Sequence, residues 1–584
     1  MKKECASIRM KLINNSTAYK KTITALIIIQ LSLFSTLFGA PHKNDRTLRK
    51  PKLILVIVVD QMRADYLDRF RDLMCDTGFR FLMEKGTRCT DCRYEYTPTN
   101  TAPGHSFILS GIYPGISGII SNEWYSTVRR REVYCVEDSS VFSIGIDPLE
   151  AGGRMSPKNY FGTTVGDQLK TISPDSKVIG IAIKDRGAIL PAGKHADGAF
   201  WFDPQSGKWI SSNYYFKHLP SWVSAYNDRH LPESYLNKQW IKLLPDSDYA
   251  RQGIDDAPGE GTVAGETTHV FPHIAADLNN PTIIRTSVFR RFDALLPTTF
   301  GDDLTRQFAE EAMSGECLGQ RGVTDVLTIS FSSLDYCGHI FGPDSYEIED
   351  MIIRLDRHLA GLFSFVDSTI GLKNTVIVLT ADHGVCPLPE KSIAGMAGRI
   401  NSKDVLVDIK VRIGQKFDYN EGSDNLLLAF SNDYVYLDYD GIKEHGFNID
   451  SFEVAVGEAG LKEPYVSRCY TRTQIERSIA SGGSTDSILC RIEKGFNKEL
   501  SGSVAIVLKE YSFFSSGQTG TTHGTAYEYD THVPLLFYGS DFRQGTFSER
   551  ISPSIIAGTL CFLLNVPLPA FSSGTFYSNV IITK

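Results

Sequence analysis

Three carboxylates, three imidazoles and one hydroxyl stand at five separated places in this chain. Asp60 closes LILVIVVD, Thr101 lies in TPTNTAPGHS, and Asp335 and His339 share SLDYCGH. Asp382 and His383 end IVLTADHG, and His523 sits in TGTTHG. Such a donor set is what two neighbouring zinc-type ions take, and a hydroxyl beside them could be activated as a nucleophile. One charged strand end means little. Several together are hard to attribute to packing, because a charge at the end of a buried strand is costly unless paired or metal-bound.

Each residue also has a plainer reading. Asp60 alone reads equally as a helix N-cap. Thr101 precedes Ala102-Pro103 at a helix start, where capping is the commoner role of a Thr. A helix N-terminus also offers N–H groups and positive dipole to an anion. Thr97, Thr99 and Ser106 compete with Thr101, and His105, one turn along, suits packing or hydrogen bonding better than ligation. Asp335 and His339 are one helical turn apart, so both can face one ion; the alternative is a capping Asp and a surface His. Asp382-His383 precedes Gly384, and a Gly-assisted turn lets neighbouring side chains converge. His532 rivals His523, but the hydroxyl- and Gly-rich loop favours His523. Lys184 and Arg186 leave the strand VIGIAI two residues apart and can share a strand face. Their charges suit phosphate oxygens; in isolation they read as two solvated bases. Asn122 in IISNEWY is a turn residue or a phosphate donor.

The elements that must position these residues read as α/β. Residues 53–59 form a continuous apolar run, as in a strand covered on both faces. Helical signals follow in ADYLDRFRDLM and FRFLMEKG, then a strand leading to Tyr96. Strands are expected at VIGIAI, DVLTISFSS, NTVIVLTAD, AIVLKEY and VPLLFYG, with helices near 302–314, 346–370 and at SPSIIAGTLCFLLN. In an open α/β sheet the carboxyl ends of the parallel strands share the edge where ligands bind. Two irregular stretches, about 200–300 and 390–510, read as insertions; the second includes LLLAF, VYLDYD and a helix near 451–460. Long insertions of this kind often line a substrate entrance.

The chain has 584 residues, 42% hydrophobic and 22% charged, with a formal net charge of −8. Lys20-Lys21 followed by the apolar run Ile23–Phe38 and Gly39-Ala40 reads as a leader over residues 1–40, with a retained anchor as the alternative. No other stretch is apolar and long enough to span a bilayer. Beyond the leader, 54 basic residues face 67 acidic ones, a net charge of −13. That balance argues against nucleic acid as the main partner. Export permits disulfides. Cys89 and Cys92 form one C-x2-C without the second pair a structural zinc ribbon needs, so they read as a local disulfide or two buried thiols.

Taken in order, Asp60, Thr101 in T-A-P-G-H, Asp335-x3-His339, Asp382-His383 and His523 resemble the alkaline phosphatase superfamily over residues 53 to about 566. The branch resembled is that of the Thr-nucleophile, broad-specificity bacterial phosphatases of PafA type, related to nucleotide pyrophosphatase/phosphodiesterases. Asn122 and Lys184-Asp185-Arg186 fit the branch's phosphate contacts. The resemblance implies a three-layer α/β/α fold with a mostly parallel central sheet and a cap made of insertions. It implies two Zn2+ per chain, other divalent ions being alternatives. Asp335, His339 and His523 would hold one; Asp60, Asp382 and His383 would hold the other, with Thr101 as reactive ligand. It also implies a phosphomonoesterase acting on small substrates through a phosphothreonine, and the leader makes it exported, periplasmic or extracellular. The runner-up is a phosphodiesterase or nucleotide pyrophosphatase on the same metals. A noncatalytic metal or phosphate binder and a cytosolic mutase are weaker rivals. Sulfatases need C/S-x-P-x-R, which Thr101-Ala-Pro-Gly-His105 lacks.

Overall fold

All seven residues of β1 (Leu53–Val59) are buried, and a strand with no exposed face belongs inside a sheet covered on both sides. The computed structural model, which describes residues 50–280, 289–392 and 397–582, sets β1 within a sheet of ten strands. The others are β2 (Thr87–Arg93), β3 (Ser143–Ile144), β4 (Val178–Ala182), β5 (Gly198–Asp203), β6 (Lys208–Ser212), β7 (Asp325–Phe331), β8 (Thr375–Thr380), β9 (His532–Tyr538) and β10 (Gly545–Ile551). Their order is β10-β2-β9-β8-β1-β7-β4-β5-β6-β3. From β8 to β5 the five central strands are parallel. β9 runs antiparallel between β8 and β2, while β2 and β10 are parallel to each other. At the far edge β6 and β3 alternate in direction. Helices and sheet share one large buried cluster, giving the three-layer α/β/α architecture expected above.

The register explains why distant residues meet. Val58 of β1 pairs with Thr380 of β8 and with Ser330 of β7, and Ser330 pairs with Ala182 of β4. Asp60, Asp382 and Lys184 therefore each lie two residues beyond the same rung. β9 runs the other way, so it begins at the edge where the parallel strands end. The loop leading into it brings His523 to that edge.

Two parts of the sheet differ from the sequence reading. Residues 198–212, assigned above partly to an insertion, form β5 and β6 of the central sheet. Their aromatic residues pack rather than wander: Trp209 stacks on Phe308 with ring centroids 4.2 Å apart, and Phe200 meets Trp222 and Phe308 edge-on. β10 was not expected, because GTFSERI is mostly polar and lies at an exposed edge. The second irregular stretch carries its own four-stranded sheet (Leu427–Ser431, Tyr434–Leu437, Val504–Leu508, Val466–Thr471). Helices Ser402–Phe417 and Ile449–Gly460 close a separate apolar cluster with it.

Cys89 and Cys92 are buried free thiols on β2, and the other cysteines of the described residues are also free. Among the described residues no helix is long and apolar enough to cross a membrane. The leader read over residues 1–40 lies outside the described residues.

Candidate metal centre and nucleophile

Strand ends and two helix starts supply the site. Helix α1 (Thr101–Ile108) follows β2 and is buried throughout. Helix α2 (Asp185–Ala192) follows β4, helix α3 (Thr299–Gly315) precedes β7, and helix α4 (Ser333–Phe341) follows β7. Asp60, Asp382 and His383 are 0% exposed, Thr101 1% and Asp335 2%. Asp60, Thr101, Asp335, His339, Asp382, His383 and His523 meet at this edge.

Every imidazole of the cluster is oriented by the backbone. His339 Nδ1 lies 2.8 Å from the Thr521 carbonyl, His383 Nδ1 2.9 Å from that of Gly384, and His523 Nδ1 2.8 Å from that of Thr99. A carbonyl only accepts, so each Nδ1 carries a proton, and in the neutral imidazole each Nε2 then presents a lone pair. This is how metal-ligating histidines are commonly fixed.

The three Nε2 atoms point at oxygens. His383 Nε2 is 3.4 Å from Asp60 Oδ1, 3.4 Å from Asp382 Oδ2 and 3.4 Å from Thr101 Oγ1. His339 Nε2 is 3.2 Å and His523 Nε2 3.6 Å from Asp335 Oδ1. Ligand atoms of Asp335, His339 and His523 lie within 4.8 Å of one another, as do those of Asp60, Asp335 and His383. Asp335 thus touches both groups. Lone pairs facing carboxylate oxygens repel unless a cation stands between them. Four tetrahedral donors about 2.0–2.1 Å from one ion sit about 3.3–3.4 Å apart, which matches the His383 distances. Among the described residues no hydrogen-bond donor satisfies the buried Asp60 Oδ1 and Asp382 Oδ2, although His105 Nδ1 lies 3.1 Å from Asp382 Oδ2. The residues fit bound divalent cations.

The charges point the same way. Burial and the charge of Asp382 push the Asp60 carboxyl well above the usual range, with Lys184 opposing. Burial also works against Asp335, yet His339 and Lys184 hold it well below that range. Asp382 is likewise held low, against burial, by His383 and His105. Burial and the neighbouring His383 keep His523 well below an ordinary imidazole. Three carboxyl groups are thus crowded in a buried site around the Lys184 ammonium, an arrangement that bound cations would stabilise.

Lys184 and Arg186 do not share a strand face. The strand stops at Ala182, and Lys184 caps α2. Lys184 Nζ donates to Asp60 Oδ2 at 2.7 Å and to Asp335. Arg186 Nη1 donates to the Tyr134 hydroxyl at 3.0 Å, which donates to Asp185 Oδ1 at 2.5 Å, and Arg186 Nε has no hydrogen-bond partner among the described residues. Asn122 Oδ1 accepts the Ala102 N–H at 2.8 Å, at the start of α1. His105 hydrogen-bonds the Thr101 carbonyl at 2.9 Å and Ser330 Oγ at 2.8 Å. A cavity of about 420 Å³ opens beside this corner, walled by Tyr134, Lys184, Arg186, Trp201, Arg290 and Tyr336.

Sequence reasoning missed Gln61. Its backbone N–H donates to Asp382 Oδ1 at 3.1 Å and its side-chain amide to Asp335 Oδ1 at 2.7 Å. The available signal was only its place beside Asp60 in a turn. Tyr134 was also missed; nothing near it in sequence announces Arg186.

A carboxylate–imidazole cluster and a helix-tip hydroxyl on the carboxyl edge of this sheet define an alkaline phosphatase-like metallohydrolase architecture. The family described as type I phosphodiesterase/nucleotide pyrophosphatase matches residues 54–475. Alkaline phosphatase PafA of Elizabethkingia meningoseptica is 34% identical over 96% of this chain and 99% of its own length. Alkaline phosphatase PhoV of Synechococcus elongatus is 36% identical over 93% and 95%. The crystal structure of wild-type PafA gives a TM-score of 0.84, covering 92% of this chain and 100% of that one. The chain belongs to the type I phosphodiesterase/nucleotide pyrophosphatase family, with alkaline phosphatases of PafA and PhoV type among its relatives.

Proposed function

We propose that this chain hydrolyses small phosphate monoesters through a covalent phosphothreonine on Thr101 and releases inorganic phosphate. The enzyme class, an alkaline phosphatase-type phosphomonoesterase, follows from full-length similarity to alkaline phosphatases. The observation that carries the mechanism is the 3.4 Å approach of Thr101 Oγ1 to His383 Nε2 inside a buried, electron-rich cluster.

Asp335, His339 and His523 would hold one zinc ion, and Asp60, Asp382 and His383 the second, with Thr101 as its reactive ligand. Bound divalent ions would lower the hydroxyl pKa and offset charge on the leaving oxygen. Thr101 Oγ, deprotonated, attacks phosphorus in line; the ester P–O bond breaks and the alkoxide leaves, taking a proton. Water then attacks phosphorus, the bond to Thr101 Oγ breaks, one water proton passes to Thr101 Oγ, and phosphate departs carrying the other as its hydroxyl. The N-terminus of α1, the Asn122 amide N–H2, Lys184 and Arg186 bind the nonbridging oxygens, chiefly by position and charge. A monoester dianion gives these groups more charge to meet than a diester monoanion. Residues 1–40 would act as an export leader, and the second irregular stretch, with the part of the first beyond residue 212, would form a cap over the cleft.

Thr101→Ala should abolish phosphoenzyme and steady turnover, and normal turnover would reject the nucleophile. EDTA should remove activity and zinc return restore it. The family match favours one second reading, diester or pyrophosphate hydrolysis at the same site. Side-by-side rates on an aryl phosphate and a bis-aryl phosphate decide between them.

A further inference from the structure

Gln61 is 1% exposed, and its backbone adopts φ +68°, a left-handed conformation that non-glycine residues avoid. In that conformation its N–H reaches Asp382 Oδ1 at 3.1 Å while its amide reaches Asp335 Oδ1 at 2.7 Å. These carboxylates come from strands on opposite sides of β1. A second backbone feature serves the same amide: a Cβ at Gly338, inside α4 between Asp335 and His339, would overlap Gln61 Oε1. A strained φ and a helix-interior glycine each cost stability, and both are spent on seating one neutral side chain.

We infer that Gln61 is a positioning residue that ties the two ligand groups together and so fixes the spacing of the two bound ions. This rests on the two-ion reading of the site. The amide occupies one lone-pair direction of Asp335 Oδ1, fixing the oxygen that His339 and His523 approach and leaving Oδ2 to Lys184. Being neutral, it adds no charge to a cluster already rich in carboxylate. The N–H bond does the same for Asp382, whose Oδ1 also accepts the His383 N–H at 3.0 Å, leaving Oδ2 toward His383 Nε2.

Gln61→Gly isolates the side chain, since glycine keeps the N–H and takes the left-handed φ without strain. EDTA-stripped wild type and variant would be titrated with Co2+ and followed by visible absorption. Wild type should take two equivalents. The variant should bind one of them roughly 10- to 100-fold more weakly, the range for loss of a partner behind a ligand. Its cobalt spectrum should change, while its metal-free melting temperature stays level or rises. Gly338→Ala, which keeps Gln61 but fills its seat, should weaken cobalt binding in the same way. Two cobalt ions bound by Gln61→Gly with wild-type affinity and spectrum would overturn the inference. So would a metal-free variant that melts well below wild type, because the effect would then lie in the fold. Fewer than two equivalents on wild type would instead sink the two-ion reading itself.

Discussion

The Lys184 ammonium lies 2.7 Å from Asp60 Oδ2 and also contacts Asp335, so a side-chain cation stands between carboxylates from both ligand groups. Removing one partner of a buried pair typically costs about 3–5 kcal/mol. Bound divalent ions would supply much of the missing charge. Lys184→Ala should therefore lower the melting temperature more in EDTA-stripped protein than in zinc-loaded protein. Equal drops in the two would show that the ammonium and the ions do not share these carboxylates. Paired with Arg186→Ala, it should cut kcat/KM for a monoester at least roughly tenfold more than for a diester, about 1.4 kcal/mol of differential binding. Equal losses would mean the pair does not read the extra charge.

Tyr134 holds Arg186 from another part of the chain. The hairpin Glu123–Ser126/Arg131–Tyr134 begins just after Asn122, and its last residue takes Arg186 Nη1 at 3.0 Å. Tyr134→Phe keeps the ring and removes the hydroxyl. The guanidinium then loses one hydrogen bond worth about 1 kcal/mol, and its orientation toward substrate relaxes. Monoester kcat/KM should fall several-fold, mostly through KM, with little change in melting temperature. A wild-type KM would reject this role.

The sequence made the strand ends legible for a physical reason. A strand buried on both faces reads as an apolar run, so a charged residue closing it stands out, as Asp60 and Asp382 do. Asp335 and His339 were legible because a helical turn joins them. His523 was readable only as a suggestive loop; its placement depends on β9 entering the sheet antiparallel. α2 was hidden by Gly187 and Pro191 within DRGAILPA, so Lys184 and Arg186 were assigned a strand geometry they do not have. Gln61 was illegible because its partners lie 274 and 321 residues away, and no local pattern encodes them.

Gly104 sets how closely α1, which carries Thr101, approaches β8. A Cβ there would collide with the carbonyl oxygen and Cβ of Asp382, both fixed at a buried strand end. Gly104→Ala must push α1 away from Asp382 or distort it. Overpacking of this kind costs about 1–3 kcal/mol. Because the shift moves Thr101 relative to His383, kcat should fall by roughly 100-fold, the scale for a misplacement near 1 Å. A variant with the stability loss but full kcat would show that the spacing of α1 from Asp382 does not matter to the reaction.

Away from the candidate metal centre, His273 predicts how stability responds to alkaline pH. It is fully buried, with Nδ1 2.9 Å from Glu266 Oε2 and Nε2 3.1 Å from Glu347 Oε1 in helix α5 (Tyr346–Thr369). Burial opposes its charge, but the bonds to Glu266 and Glu347 outweigh burial and push its pKa up to about 9. A cation favoured by the fold stabilises fully below its unfolded value of about 6.5. That contribution is lost as pH rises through about 9. Glu260 acts in the same direction: burial and the charge of Glu347 push it up to about 8. The folded chain keeps a proton there that the unfolded chain has lost above about 4.5, so stability again falls as pH rises. The melting temperature should drop steadily between about pH 6.5 and 9.5 at fixed zinc. His273→Gln should be less stable at pH 6.5 and show a flatter slope above it, and Glu260→Gln should flatten the part below pH 8. A wild-type profile level across this range, or a slope unchanged in His273→Gln, would mean that His273 is not held as a cation between the two glutamates.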